Sequence, residues 1–257
     1  MPAILNSQFS ILNSSTVAVF VFKKMASTNA ECKNPCYAHG DAVVAVEQTA
    51  GRGQRGNTWS SRAGENLTFS LVWEADFLAA KEQFVLSEAV ALAVVDTLAG
   101  YGIEATVKWP NDIYVGHKKI CGILIEHDLG VAGRLARTIV GIGLNVNQTE
   151  FEEWIPNPTS IALLTGERRG TNDVFGDLYE ALERRFEQLK DARQQVQADY
   201  LGHLYRLNKP STYALPNGKR FRGTIRDVRP TGELLVEHEE GGFVKPYLFK
   251  EIEFVIG

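Results

Sequence analysis

Arg52, Arg55 and Lys108 are the side chains through which this 257-residue sequence could hold an anion, and each sits in a short stretch of unusual composition. The two arginines belong to Gly51-Arg52-Gly53-Gln54-Arg55-Gly56. Glycine lets a backbone come close to a ligand, and arginine offers a permanently charged planar fork that fits carboxylate or phosphate oxygens. Lys108 opens Lys108-Trp109-Pro110-Asn111-Asp112, where a lysine on a short strand would meet such oxygens as a point charge. A third stretch, Gly141-x-Gly143-x-Asn145, removes two side chains from one strand face, which marks either a tight bend or room for a ligand. Each has a plain alternative: solvated arginines on a hairpin loop, a strand-edge lysine beside a core Trp109, and the bend alone.

The string Gly51 to Gly56 also satisfies the G-x-G-x-x-G pattern of a dinucleotide-binding turn. That reading needs a helix directly after the glycines, because the helix N-terminus binds the pyrophosphate. The residues that follow, Asn57 to Asn66, are polar and have no helical period, so the reading fails even though Glu74 stands at roughly the distance of a ribose ligand. A phosphate-binding loop of the Walker type fails for want of Gly-Lys-[Ser/Thr]. Cys32-x3-Cys36 followed by His39 has no second pair of ligands and reads as a turn around Pro35.

The elements that must position these residues can be read from periodicity. Val17 to Phe22, Ala42 to Val46 and Leu67 to Trp73 read as strands, with Ser27-Thr28-Asn29 as a helix start. Ala79 to Gly102 reads as a long apolar helix. Thr106 to Trp109, Ile113 to Val115, Lys119 to Glu126 and Thr138 to Val146 read as further strands, the first stopped by Pro110-Asn111-Asp112. A short helix is expected between Trp154 and Thr165. A charged helix should run from Thr171 to about Asn208, with Val174, Leu178, Leu182 and Leu189 on one face. After Lys209-Pro210 short alternating runs are separated by Asn217-Gly218, Pro230-Thr231-Gly232 and Gly241-Gly242, a pattern of hairpins that suggests a small β-barrel.

Composition narrows the classes. With 44% hydrophobic residues the chain can build a sizeable core. A net charge of −4 without any Lys/Arg block disfavours nucleic acid as a partner. No segment reads as a membrane span, since the most apolar stretch carries Glu88 and Asp96. Three cysteines and an N-terminus without a cationic start point to the cytoplasm.

Taken together and in order, Ser27-Thr28-Asn29, GRGQRG with Trp59, KWPND at 108–112, KKICGILIE at 118–126 and GIGLNVN at 141–147 resemble the biotin protein ligases, from about residue 23 to the C-terminus. The resemblance implies an α/β (α+β) fold: a catalytic domain over 1–208, like the class II aminoacyl-tRNA synthetases and with a mixed central sheet. A small SH3-like β-barrel would follow over 209–257. It also implies that biotin and ATP, with Mg²⁺ arriving on the nucleotide, give biotinyl-5′-adenylate. The acyl group would then pass to a lysine of a biotin carboxyl carrier domain. Ser27, Thr28 and Gln48 would bind the ureido group of biotin, Asn29 would join them in binding biotin, Gly122, Gly141 and Gly143 would line the slot, and Arg52, Gly53 and Gln54 would cover the tail. Lys108 and Arg52 would act at the reacting oxygens. Arg55, Trp59, Asn111 and Asn145 would join Arg52, Gln54 and Lys108 on the ATP side. The loop glycines would let it close over the ligand.

Two departures stand out. Many family members carry arginine where this chain has Gln54, which keeps hydrogen bonding but loses a charge. Some members carry an N-terminal helix-turn-helix domain, whereas only about twenty residues precede the first matching strand here, so a ligase without DNA binding is expected. A homodimer through the central sheet is compatible with the family. The competing readings are a lipoate or octanoate ligase of the same fold and a non-catalytic biotin-responsive regulator.

Overall fold

The computed structural model describes residues 4–8 and 18–256, with the side chains of 4–8 and of Arg55 left aside. Val17, at the expected start of the first strand, lies outside the described residues.

Eight strands form one mixed sheet in the order β1-β2-β3-β4-β8-β7-β6-β5. They are β1 (Ile4–Gln8), β2 (Ala18–Phe22), β3 (Ala42–Ala45), β4 (Leu67–Trp73), β5 (Thr106–Lys108), β6 (Asp112–Val115), β7 (Lys118–Leu129) and β8 (Leu135–Leu144). Only β2 and β3 run parallel; the other neighbours are antiparallel. The sequence gives no alternation signal for β1, which pairs with β2 over five residues.

Side chains alternate across a strand, and that alternation separates core from site. In β4, Leu67, Phe69, Leu71 and Trp73 enter the main core, while Thr68, Ser70 and Val72 point to the other face. In β8, Val140, Ile142 and Leu144 are core residues and Gly141 and Gly143 fall between them; in β7, Cys121 and Ile123 do the same around Gly122. The three strands are in register so that Thr68, Gly143 and Gly122 form one row and Ser70, Gly141 and Leu124 the next. The glycine rows therefore open a trough on the face opposite the core.

The core face is covered by α2 (Phe84–Gly100), α4 (Thr171–Asp191) and α5 (Arg193–Gly202), with the short α1 (Thr28–Glu31) and α3 (Ile161–Thr165) elsewhere. Helix α2 is apolar on every side because it packs against α4, α5 and the sheet together. With the turn before it, Ala80–Gly100 is long and apolar enough to cross a membrane by composition, yet 67% of its most apolar window is buried in the protein core. The expected single helix from Thr171 to about Asn208 breaks at Ala192, whose φ of −136° and ψ of 43° are not helical. Across that break Arg185 donates to Asp96 of α2 at 2.7 and 2.9 Å and to Asp199 of α5 at 2.7 Å, tying three helices at one guanidinium.

The C-terminal strands are β9 (Ser211–Ala214), β10 (Arg220–Val228), β11 (Leu234–His238), β12 (Val244–Tyr247) and β13 (Glu253–Phe254). Asn217-Gly218 does form the β9–β10 turn, with Gly218 at φ 81°. The expected closed, SH3-like β-barrel is not present. The five strands form an open antiparallel sheet in the order β12-β11-β10-β9-β13, and among the described residues its edge strands do not pair with each other. Closure would need a ladder of donors and acceptors along both edges. Here β13 is only two residues long and Pro246 in β12 has no N–H to give. The sheet leans on the larger one instead: Trp109 Nε1, just past β5, donates to the Gly232 carbonyl at 2.9 Å, and the segment joining α5 to β9 is tied to β10 by Asn208 N, which donates to the Ile225 carbonyl at 2.9 Å.

Candidate functional site

The trough opens into a cavity of about 720 Å³. Its wall takes in Ser27, Thr28, Asn29, Gln48, Arg52, Gly53, Gln54, Trp59, Lys108, Asn111, Gly122, Gly141 and Gly143, so residues scattered over 117 positions converge on one space. Arg55 lies outside the described side chains. Asn145 is placed elsewhere. It is buried below the sheet end, where its N–H donates to the Ile120 carbonyl and its Nδ2 to the Thr159 carbonyl, both at 2.9 Å.

The inner end of the cavity is a hydrogen-bonded chain. Met25 and Gln48 form a parallel bridge that sets Gln48 beside the start of α1. Gln48 Oε1 accepts from the Thr28 N–H at 2.7 Å and from the Thr28 hydroxyl at 3.1 Å. Ser70 Oγ lies 2.7 Å from Thr28 Oγ1 and 2.6 Å from Asn29 Oδ1, and its one proton serves either. Asn29 Nδ2 then donates to Glu126 Oε2 at 2.9 Å. Ser27 takes the N-cap position of α1, but its side chain makes no capping bond. The carboxamide of Asn29 lies over Gly141, where a Cβ would stand 1.9 Å from Oδ1.

Glu126, like Ser70 and Lys119, is a residue that sequence reasoning passed over. Its carboxylate meets Arg52 Nη2 at 3.0 Å and Lys33 Nζ at 2.9 Å as well as Asn29. Partial burial pushes this carboxyl up, but the hydrogen bonds from Asn29 and Lys33 and the charge of Arg52 outweigh it and hold the group below the usual carboxylate range. Its only sequence signal was its place at the end of KKICGILIE, on the same strand face as Gly122.

The glycine loop folds back on itself. Arg52 and Thr58 form an antiparallel bridge, Gly53 N donates to the Asn57 carbonyl at 2.7 Å, and Trp59 N donates to the Gly51 carbonyl at 3.0 Å. Gly51 is required by close approach, since a Cβ there would lie 2.3 Å from the Trp59 carbonyl oxygen; Gly56 is required by its φ of 88°. The fold-back lays the Trp59 ring across the floor. A Cβ on Gly143 would stand 2.2 Å from Trp59 Cε2, and one on Gly122 would stand 3.2 Å from Cζ3. Trp59 Nε1 is buried and has no hydrogen-bond partner among the described residues.

Lys108 occupies the opposite wall. Burial pushes its ammonium below the ordinary lysine range, with Asp112 pulling partly the other way. Beside it Lys119 Nζ pairs with Asp112 Oδ1 at 2.6 Å, a second cation in the cavity wall that the KWPND motif does not include. Asn111 locks the motif to β7, donating from Nδ2 to the Ile123 carbonyl at 2.6 Å and accepting on its own carbonyl from Ile123 N at 3.0 Å. The site thus offers neutral hydrogen-bonding groups at one end, two lysines at the other, and a flat glycine floor between them. An elongated ligand with a polar head and an anionic reacting end fits that order.

Residues 19–145 match the family model described as the biotin/lipoate A/B protein ligase family. The bifunctional ligase/repressor BirA of Escherichia coli is 32% identical over 83% of this chain and 66% of its own length. The biotin–[acetyl-CoA-carboxylase] ligase of Mycobacterium tuberculosis is 31% identical over 84% of this chain and 82% of its own. The chain belongs to the biotin protein ligase family. Among solved structures, the biotin protein ligase from Aquifex aeolicus in complex with biotin and ATP superposes with a TM-score of 0.76. It has 26% identity and covers 93% of this chain and 99% of that one. The chain spans about two thirds of the length of the Escherichia coli protein and most of the length of the Mycobacterium tuberculosis and Aquifex aeolicus ligases.

Proposed function

We infer that this protein is an ATP-dependent biotin–protein ligase: it activates biotin as biotinyl-5′-adenylate and transfers it to a lysine of a biotin carboxyl carrier domain. The observation that carries this reading is the order of groups along one cavity, from the Gln48–Thr28–Ser70–Asn29 chain to Lys108. Ser27, Thr28, Asn29 and Gln48 take the ureido group, whose N–H and C=O edges need both acceptors and donors. Gly122 and Gly143 let the Trp59 ring, and Gly141 the Asn29 carboxamide, lie close against the sheet, which keeps the cavity beside them for the biotin ring and tail. Arg52, Gly53 and Gln54 cover the tail from the loop, where neutral Gln54 contributes hydrogen bonding and no charge.

The biotin carboxylate attacks the α-phosphorus of MgATP and pyrophosphate leaves. Lys108 offsets the negative charge that gathers on the carboxylate and α-phosphate oxygens. Trp59 and Asn111 flank the nucleotide side, Trp59 with a buried N–H free to donate. Asn145 serves this side through the scaffold, by holding the end of β8 to the segment before α3. The carrier's lysine amine then attacks the acyl carbon and AMP leaves, so the enzyme supplies no covalent nucleophile. Its contribution is positioning and exclusion of water from a hydrolysable anhydride. Residues 1–208 form the catalytic body and 209–257 an appended module that closes one cavity wall.

The reading is tested by intact mass of a biotin carboxyl carrier domain incubated with the purified protein, MgATP and either biotin, lipoate or octanoate. The expected result is biotin's acyl mass on one lysine and no lipoyl or octanoyl product. Modification by lipoate or octanoate instead would overturn the substrate assignment, and no modification by any acid would overturn the ligase reading.

A further inference from the structure

We propose that Phe254, from the last strand of the C-terminal sheet, is a positioning residue for Lys108, so that this sheet completes the adenylation site. The proposal rests on the ligase reading above. Lys108 Nζ lies 5.1 Å from the Phe254 ring centroid and 5.2 Å from that of Tyr114. Both distances are within the range where a cation is drawn to an aromatic face, and the attraction grows when water is kept away. A lysine stem has four rotatable bonds, so a bare Lys108 would sample many ammonium positions. Two ring faces at that distance reduce the freedom without neutralising the charge, as a carboxylate partner would.

Phe254 is itself held firmly. It faces Tyr213 in the β13–β9 pair, and their rings meet edge to face at 5.4 Å. The next residue is tied on both sides: Val255 N donates to the Thr212 carbonyl at 3.2 Å, and its own carbonyl accepts from Arg206 Nη1 at 3.1 Å. The two-residue strand β13 makes sense on this reading, since its length suffices to deliver one ring to the cavity wall.

The test compares Phe254→Leu, Phe254→Tyr and Lys108→Ala in the full chain, reading biotin-dependent pyrophosphate release and thermal unfolding. Phe254→Leu keeps apolar bulk and removes the ring face. It is expected to lower kcat about tenfold, with KM for biotin within about twofold and the unfolding midpoint nearly unchanged. Phe254→Tyr is expected to restore kcat. If Phe254→Leu retains full kcat while Lys108→Ala loses it, the positioning role is overturned and the ligase reading stands. If Tyr and Leu lower kcat equally, the ring face is not what matters and the proposal is likewise overturned. If Lys108→Ala retains full pyrophosphate release, the reading beneath the proposal fails first.

Discussion

At the scale of single residues, the site depends on how two cations, Arg52 and Lys108, are held. Arg52 does not hang free on its loop but rests on Glu126, which Asn29 and Lys33 also hold. An exposed ion pair of this kind contributes little to global stability, so its effect should appear in ligand retention. Arg52→Ala is expected to weaken biotin binding and release adenylate into solution. Glu126→Gln should raise that release by about two- to fivefold while leaving the arginine in place. Chromatography of free biotinyl-adenylate during turnover without a carrier checks both, and retention equal to wild type in both variants would contradict the latch.

Lys108 brings a pH dependence whose sign follows from its surroundings. Burial lowers its pKa, so its charge is lost at a lower pH than that of an exposed lysine near about 10.4. Pyrophosphate release should therefore fall along an alkaline limb that begins below the ordinary lysine range. Lys108→Arg keeps its charge throughout and should abolish that limb, whatever its effect on the plateau. A pH–rate profile with the same limb in both proteins would show that another group titrates.

At the scale of elements, the glycines of β7 and β8 matter because a ring and a carboxamide lie on them. Gly143→Ala would drive a methyl group into Trp59 and is expected to cost about 1–3 kcal/mol of stability. The same substitution should cost little in a Trp59→Ala background, and urea unfolding of the four combinations checks the coupling. Helix α2 carries a second consequence. Burial, with some help from Asp227, pushes the Glu88 carboxyl up to about 8. The unfolded chain loses that proton near pH 4.5, so native stability falls as pH rises from there toward about 8. Glu88→Gln has no such proton to lose, and its stability relative to wild type should grow by a few kcal/mol across that window. A constant difference between the two proteins at pH 5 and pH 8 would contradict the burial of an ionisable group here.

Much of this was legible in the sequence because it is local. The alternation of β4 and β8, the apolar run of α2 and the Asn217-Gly218 turn each depend on neighbours in the chain. The Glu126–Arg52 pair spans 74 positions and the Trp109–Gly232 bond 123, and no periodicity announces either. The break at Ala192 was hidden because the charged pattern continues through it. The C-terminal hairpins were readable, but whether their outer strands meet depends on edge lengths, and β13 proved too short.

At the scale of the whole molecule, the cavity is a shared product of two sheets. The larger sheet supplies the glycine floor, Lys108 and Ser70, with α1 and the segment after β3 adding the rest of the polar chain; the C-terminal region brings Phe249, Ile252 and Phe254 to the wall. Trp109 fastens them together from within the KWPND motif itself. The family's motifs thus fall on the seam between the sheets as well as on the floor. On the proposed reading, this one cavity makes an acyl-adenylate with Lys108 at the reacting oxygens. Pyrophosphate release by the carrier-free protein, with and without biotin, tests it most directly when wild type is set beside Lys108→Ala. The expected result is release that requires biotin, falls by at least about a hundredfold in the variant, and does so without a change in unfolding midpoint. Biotin-independent release, or a Lys108→Ala protein as active as wild type, would contradict it.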